Sequence, residues 1–172
     1  MKRGQVWVET VVYTLIAFVI IGAVLAYAKP KIQEMQDKAV IEQSVEIIRK
    51  IDSTILNIGE AGNQREVNVE IKKGSLFIDG KNDQIVFEIL SKYEYSELDT
   101  EFTNLGIKEM TTKSGNLFNV TLRADYSGKK NISYNERDEI FSLTKSSNAY
   151  NLLLKNIGDD SGGLTIINFK LN

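Results

Sequence analysis

Cysteine and histidine are both absent from this 172-residue chain, and proline occurs once, at Pro30. Without thiols there are no disulfides and no thiol nucleophile. Without imidazole as well, the usual zinc ligands and the usual general base are missing. Catalysis would have to rest on carboxylates, lysine, tyrosine or serine. No glycine-rich phosphate loop, HExxH or GxSxG pattern organises such groups, so neither an enzyme nor a bound cofactor is expected. Charge of one sign is not in excess either. The 21 Lys and Arg against 23 Asp and Glu leave a net charge of −2, and no nucleic acid is expected as a partner. Hydrophobic residues at 42% and charged residues at 26% suit a folded chain with room for one ordinary domain and an appendage.

What the chain does have is a long apolar run, Gln5–Ala28. Only Glu9 interrupts it with a charge, and Lys2-Arg3-Gly4 precedes it. As a helix, Val6–Ala28 can cross a hydrocarbon core of ~30 Å, which takes roughly 20 residues. Trp7 and Tyr27 stand near its ends, where amphipathic rings favour the headgroup region. The flanking charges orient it weakly, and a long C-terminal domain translocates largely regardless of its own charge. The expected topology has the N-terminus in the cytoplasm.

Beyond Pro30 the chain turns amphipathic. Ile32, Met35, Ala39, Val45, Ile48, Ile51, Ile55 and Ile58 recur at helical spacing, with a gap around Glu42. Glu34, Asp37, Lys38, Glu46, Arg49 and Lys50 fall on the opposite face. Gly59 and Gly62 mark the end. If Pro30 only kinks it, one helix of about 80 Å, at 1.5 Å per residue, runs from Gln5 to Ile58.

From Arg65 the apolar period changes to two. Alternation predicts strands around Val67–Ile71, Leu76–Asp79, Ile85–Leu90, Leu117–Tyr126, Ile132–Tyr134, Glu139–Leu143, Ala149–Lys155 and Leu164–Leu171. No strand–helix–strand alternation occurs. The expected fold class is therefore α+β: a long N-terminal helix, hydrophobic and then amphipathic, followed by an antiparallel β-sandwich head. The acidic turns Asp79–Asp83 and Asp159–Gly162 carry oxygen ligands without EF-hand spacing. They are expected to be plain turns, and no metal site is assigned. Tyr93–Glu97 is expected to be a loop or strand edge rather than a sugar platform. Asn119-Val120-Thr121 and Asn131-Ile132-Ser133 match the N-glycosylation acceptor pattern.

Two processing schemes compete at the N-terminus. A conventional secretory signal would be cut after Ala26-Tyr27-Ala28. A retained helix gives Glu9 a purpose, because a carboxylate in the membrane costs a few kcal/mol unless partnered. In this second light Lys2-Arg3-Gly4, then Gln5-Val6-Trp7-Val8-Glu9, then the apolar run resembles the class III signal of type IV pilins and archaellins. The resemblance spans Lys2–Ile58. It extends to the head by fold class only, and the lack of cysteine pairs leans towards the archaeal branch.

The resemblance implies cleavage between Gly4 and Gln5 by a prepilin-type membrane peptidase, which places Glu9 fifth in the mature chain. It implies a leader over 1–4, a helix over 5–59 (filament core 5–28, amphipathic stalk 29–59) and an extracellular head over 60–172. The expected function is a structural filament subunit, membrane-inserted as a precursor and extracellular when mature. Its partners are copies of itself and the assembly machinery, and Gln5 and Glu9 are its assembly residues. A monomeric anchored adhesion domain and a secreted sandwich remain the alternatives.

Overall fold

The computed structural model describes the backbone over 2–172 and the side chains from Trp7 onward. It comprises two units, Met1–Gln36 and Asp37–Asn172, and helix α1 (Lys2–Leu56) contributes to both.

In the first unit α1 continues through Pro30. Proline removes the hydrogen bond to the carbonyl four residues earlier and costs about 3 kcal/mol inside a helix. Alanine and lysine at positions 26, 28, 29 and 31 are strong helix formers and carry the helix past it. Every residue from Trp7 to Tyr27 is exposed.

The second unit gathers around the rest of α1. Asp37, Ile41, Ser44, Ile48, Ile51, Ile55 and, just past the helix end, Ile58 are buried, at alternating intervals of four and three residues. That spacing holds one narrow seam along a helix of 3.6 residues per turn. The seam corrects the expected stripe at its start. Ile32 (53% exposed), Met35 (71% exposed) and Ala39 lie outside it, while Ile41 and Ser44 fill the gap around Glu42. Asp37, expected on the polar face, is buried. Its carboxylate accepts from the Lys73 ammonium and, at 2.7 Å, from the Lys92 backbone N–H, which compensates its lost hydration.

Ten strands follow: β1 (Gln64–Val69), β2 (Ser75–Asp79), β3 (Gln84–Ser91), β4 (Glu101–Asn104), β5 (Ile107–Ser114), β6 (Leu117–Asp125), β7 (Lys130–Tyr134), β8 (Ile140–Thr144), β9 (Tyr150–Asp159) and β10 (Thr165–Leu171). They make a four-stranded sheet ordered β1-β9-β10-β7 and a six-stranded sheet ordered β4-β5-β6-β3-β2-β8. The expected α+β architecture is present, with one departure: β7 and β10 pair in parallel while all other pairs are antiparallel. Val67, Leu152, Ile167 and Phe169 of one sheet, Ile78, Phe87, Ile107 and Leu122 of the other, and the helical seam share one core.

Two polar residues tie the helix to this core. Tyr126, buried at the end of β6, donates its hydroxyl to Asp52 Oδ1 at 2.9 Å. Burial, and then the neighbouring Asp52 charge, push the Tyr126 phenol well above its usual range, so it stays a donor. After α1 ends, Gly59 turns the chain at φ 83°, and buried Asn156 donates to its carbonyl at 2.8 Å.

β4 and β5 were not expected. In β5 the inward positions are Ile107, Glu109 and Thr111, with Met110 on the outer side, so apolar alternation does not mark it. The two strands meet at a two-residue turn, Leu105-Gly106, with φ of 50° and 84°. Both residues at positive φ make this the mirror-image turn that favours Asn-Gly. A leucine in the left-handed region costs about 1–2 kcal/mol, and Leu105, 77% exposed, recovers nothing by burial. Leu105→Asn is expected to stabilise the head by about 1 kcal/mol, read as a higher denaturation midpoint. An unchanged or lower midpoint contradicts the strain.

Candidate membrane and assembly segment

The segment from Trp7 to Ala28 is apolar all round, and α1 is long and apolar enough to cross a membrane. Its polar groups cluster towards the N-terminal end: Glu9, Thr10, Tyr13 and Thr14. The Thr14 hydroxyl donates to the Thr10 carbonyl at 2.8 Å, one turn back, so it brings no unmet polar group into hydrocarbon. Glu9 differs. It is exposed, and none of the described residues bonds its carboxylate. Val12 and Tyr13 stand three and four residues on, and Gln5 stands four residues before it, on the same side of the helix. Gly4 and Gln5 belong to the helical backbone of α1, but the Gln5 side chain lies outside the described residues.

The other residues singled out from sequence serve the head itself. Asp79 Oδ1 accepts from the backbone N–H groups of Lys81 and Asn82 at 3.0 and 3.1 Å, and Oδ2 accepts from the Asn82 amide at 2.7 Å. Asp160 Oδ1 accepts from Gly162 and Leu164 N–H at 2.8 and 2.9 Å, and backbone donation, from Leu164 above all, holds its carboxyl below the usual range. Each carboxylate thus closes its own turn. Among the described residues no group of three or more acidic side chains is placed to hold a metal ion. Tyr93–Glu97 is a loop, with the Lys38 ammonium 5.8 Å from the Tyr93 ring centre and Ser96 N–H donating to Thr111 Oγ1 at 3.2 Å. Asn119 lies on β6 and Asn131 on β7.

Sequence reasoning missed one charged group under the helix. Glu109 is 7% exposed, and its Oε1 has no hydrogen-bond partner among the described residues. Buried Arg49 Nε on α1 likewise has none. Arg49 Nη1 instead bonds Glu46 Oε1 at 3.0 Å. Burial raises the Glu109 carboxyl above its usual range, and the Arg49 charge only partly offsets this. Tyr95, raised by its own burial and then by the Glu109 charge, faces the same group from the loop. The signal was the strand register: a carboxylate at the inward position between Ile107 and Thr111.

A carboxyl raised on folding binds its proton more tightly in the native state. Its unfavourable ionisation is absent below the ordinary carboxylate range and appears as pH rises through it. Glu109→Gln is therefore expected to match the wild type near about pH 4 and to be the more stable protein near about pH 7. Chemical denaturation at both pH values measures this, and a variant less stable at neutral pH would show that the Glu109 charge stabilises the head.

No known protein family, curated protein or solved structure matches this chain.

Proposed function

We propose that this chain is a structural subunit of a type IV pilus-like or archaellum-like surface filament. Its N-terminal helix holds the precursor in the membrane and later forms the filament core. One observation carries the reading: a single exposed carboxylate, Glu9, with no partner among the described residues, stands near the start of the apolar segment from Trp7 to Ala28. A lone carboxylate in hydrocarbon costs a few kcal/mol. Pairing it with an opposite charge removes that penalty and fixes the register between neighbours. Cleavage after Gly4 by a prepilin-type peptidase supplies the charge, because it frees an ammonium on Gln5 and discards Lys2 and Arg3. The ammonium of one copy then neutralises Glu9 of the next, and apolar helices exchange lipid for one another. An uninterrupted helix across Ala26-Tyr27-Ala28 supports retention of the segment over cleavage after Ala28.

The mature N-terminus tests this directly. Mass spectrometry should find a chain starting at Gln5, and Gly4→Val should leave the precursor uncut. A start at Lys29 identifies a secreted head, and a start at Met1 identifies a monomeric anchored domain.

Glu9→Gln keeps the shape and loses the charge. It should insert and be cleaved normally, yet reduce filament yield in sheared surface material by at least about tenfold, the effect of 1.4 kcal/mol per subunit contact. Wild-type filament yield from Glu9→Gln and from Glu9→Ala would remove the assembly role.

A further inference from the structure

The two glycosylation acceptor patterns are alike in sequence, but the fold treats them differently. In Asn131-Ile132-Ser133 on β7, the Asn131 amide lies beside the Asp160 carboxylate and helps to hold it below the usual range. Ser133 is 3% exposed, and its hydroxyl donates to Asn168 Oδ1 at 3.2 Å. The hydroxyl that makes this tripeptide an acceptor is therefore sealed inside the head.

In Asn119-Val120-Thr121 on β6, the middle residue is buried, so its neighbours face the opposite way. Asn119 and Thr121 both reach the outer face of the six-stranded sheet and are half-exposed. Asn119 stands across from Leu90 on β3 and Thr112 on β5, and its amide has no hydrogen-bond partner among the described residues. It opens onto a recess of about 670 Å³ lined also by Lys73, Ser75, Glu88, Thr112 and Lys113. These side chains supply donors and acceptors suited to sugar hydroxyls.

We infer that Asn119, and not Asn131, carries an asparagine-linked oligosaccharide whose first sugars lie in this recess. The donor is an oligosaccharide on a lipid phosphate or diphosphate. Asn119 Nδ2 bonds to the anomeric carbon as the carbon–oxygen bond to phosphate breaks. The amide proton passes to a base on the transferase, and the lipid phosphate leaves with the bonding pair. The preference holds for either order of events. In the folded head the transferase cannot reach the Ser133 hydroxyl. On an unfolded chain, a glycan on Asn131 would have to be accommodated beside the Asp160 turn and next to the buried Ser133–Asn168 bond during folding, whereas one on Asn119 would stand on the outer face of its sheet. The inference rests on the export part of the proposed function, because donor and transferase act outside the cytoplasm.

Peptide mass spectrometry of the protein isolated from its own cell surface provides the test. The Asn119 peptide should be heavier by a sum of sugar residues, and the Asn131 peptide should have its bare mass. Thr121→Val should abolish the added mass, while Thr121→Ser, which keeps the hydroxyl, should retain it. A bare Asn119 peptide, or sugar on Asn131, overturns the inference. The same spectra read the mature N-terminus and separate the two proposals. Bare Asn119 with a start at Gln5 defeats only the glycan assignment. Sugar on Asn119 with a start at Met1 or Lys29 supports it and defeats the filament reading.

Discussion

The head depends on burying one narrow seam of helix α1. Ile41, Ile48, Ile51, Ile55 and Ile58 are each at most 2% exposed, and they share a core with residues of both sheets. Sheets need an apolar partner for their inward faces, and here a helix supplies part of it. The head is therefore not separable at the point where helix gives way to strand. Everything from Asp37 onward belongs to one compact unit, and the part of α1 before it belongs to another. From Trp7 to Tyr27 every residue of the helix is exposed, and most of them are apolar. After Asp37, hydrophobicity narrows to a stripe.

Polar groups inside this core are placed where the backbone needs them. Asp37 meets the Lys92 N–H at one end of the seam, Asp52 receives the Tyr126 hydroxyl midway, and Asn156 bonds the Gly59 carbonyl where the helix has ended. Each links α1 or its exit to a different part of the sheet framework. A buried polar group with a partner favours one register over its neighbours, since a slip leaves both partners unsatisfied. Glu109 and Arg49 are the exception, with one buried atom each left without a partner.

Much of this was legible in the sequence where side-chain polarity and position agreed. The isoleucines from Ile48 to Ile58 marked the seam, and Ile85, Phe87 and Ile89 marked a strand with one buried face. Legibility failed where they disagreed. Asp37 is acidic and buried, Met35 is apolar and exposed, and β5 turns a glutamate and a threonine inward. Hydrophobic periodicity measures transfer from water and cannot register a carboxylate whose hydration is replaced by specific donors. For the N-terminal segment the position was reversed. Glu9 was conspicuous from sequence alone, because one charge among apolar residues needs no packing information to stand out. The difference between Asn119 and Asn131 was invisible until the fold placed one threonine outside and one serine inside.

The parallel pairing of β10 with β7 sets the order in which the head can be completed. β10 comes after every other strand in the chain, yet it occupies an interior position of its sheet, between β9 and β7. Until Thr165–Leu171 emerges from the ribosome, β9 lacks one neighbour and β7 has none. Contacts this distant along the chain form slowly, because long loops must close first. The four-stranded sheet is consequently completed only when β10 enters between β9 and β7.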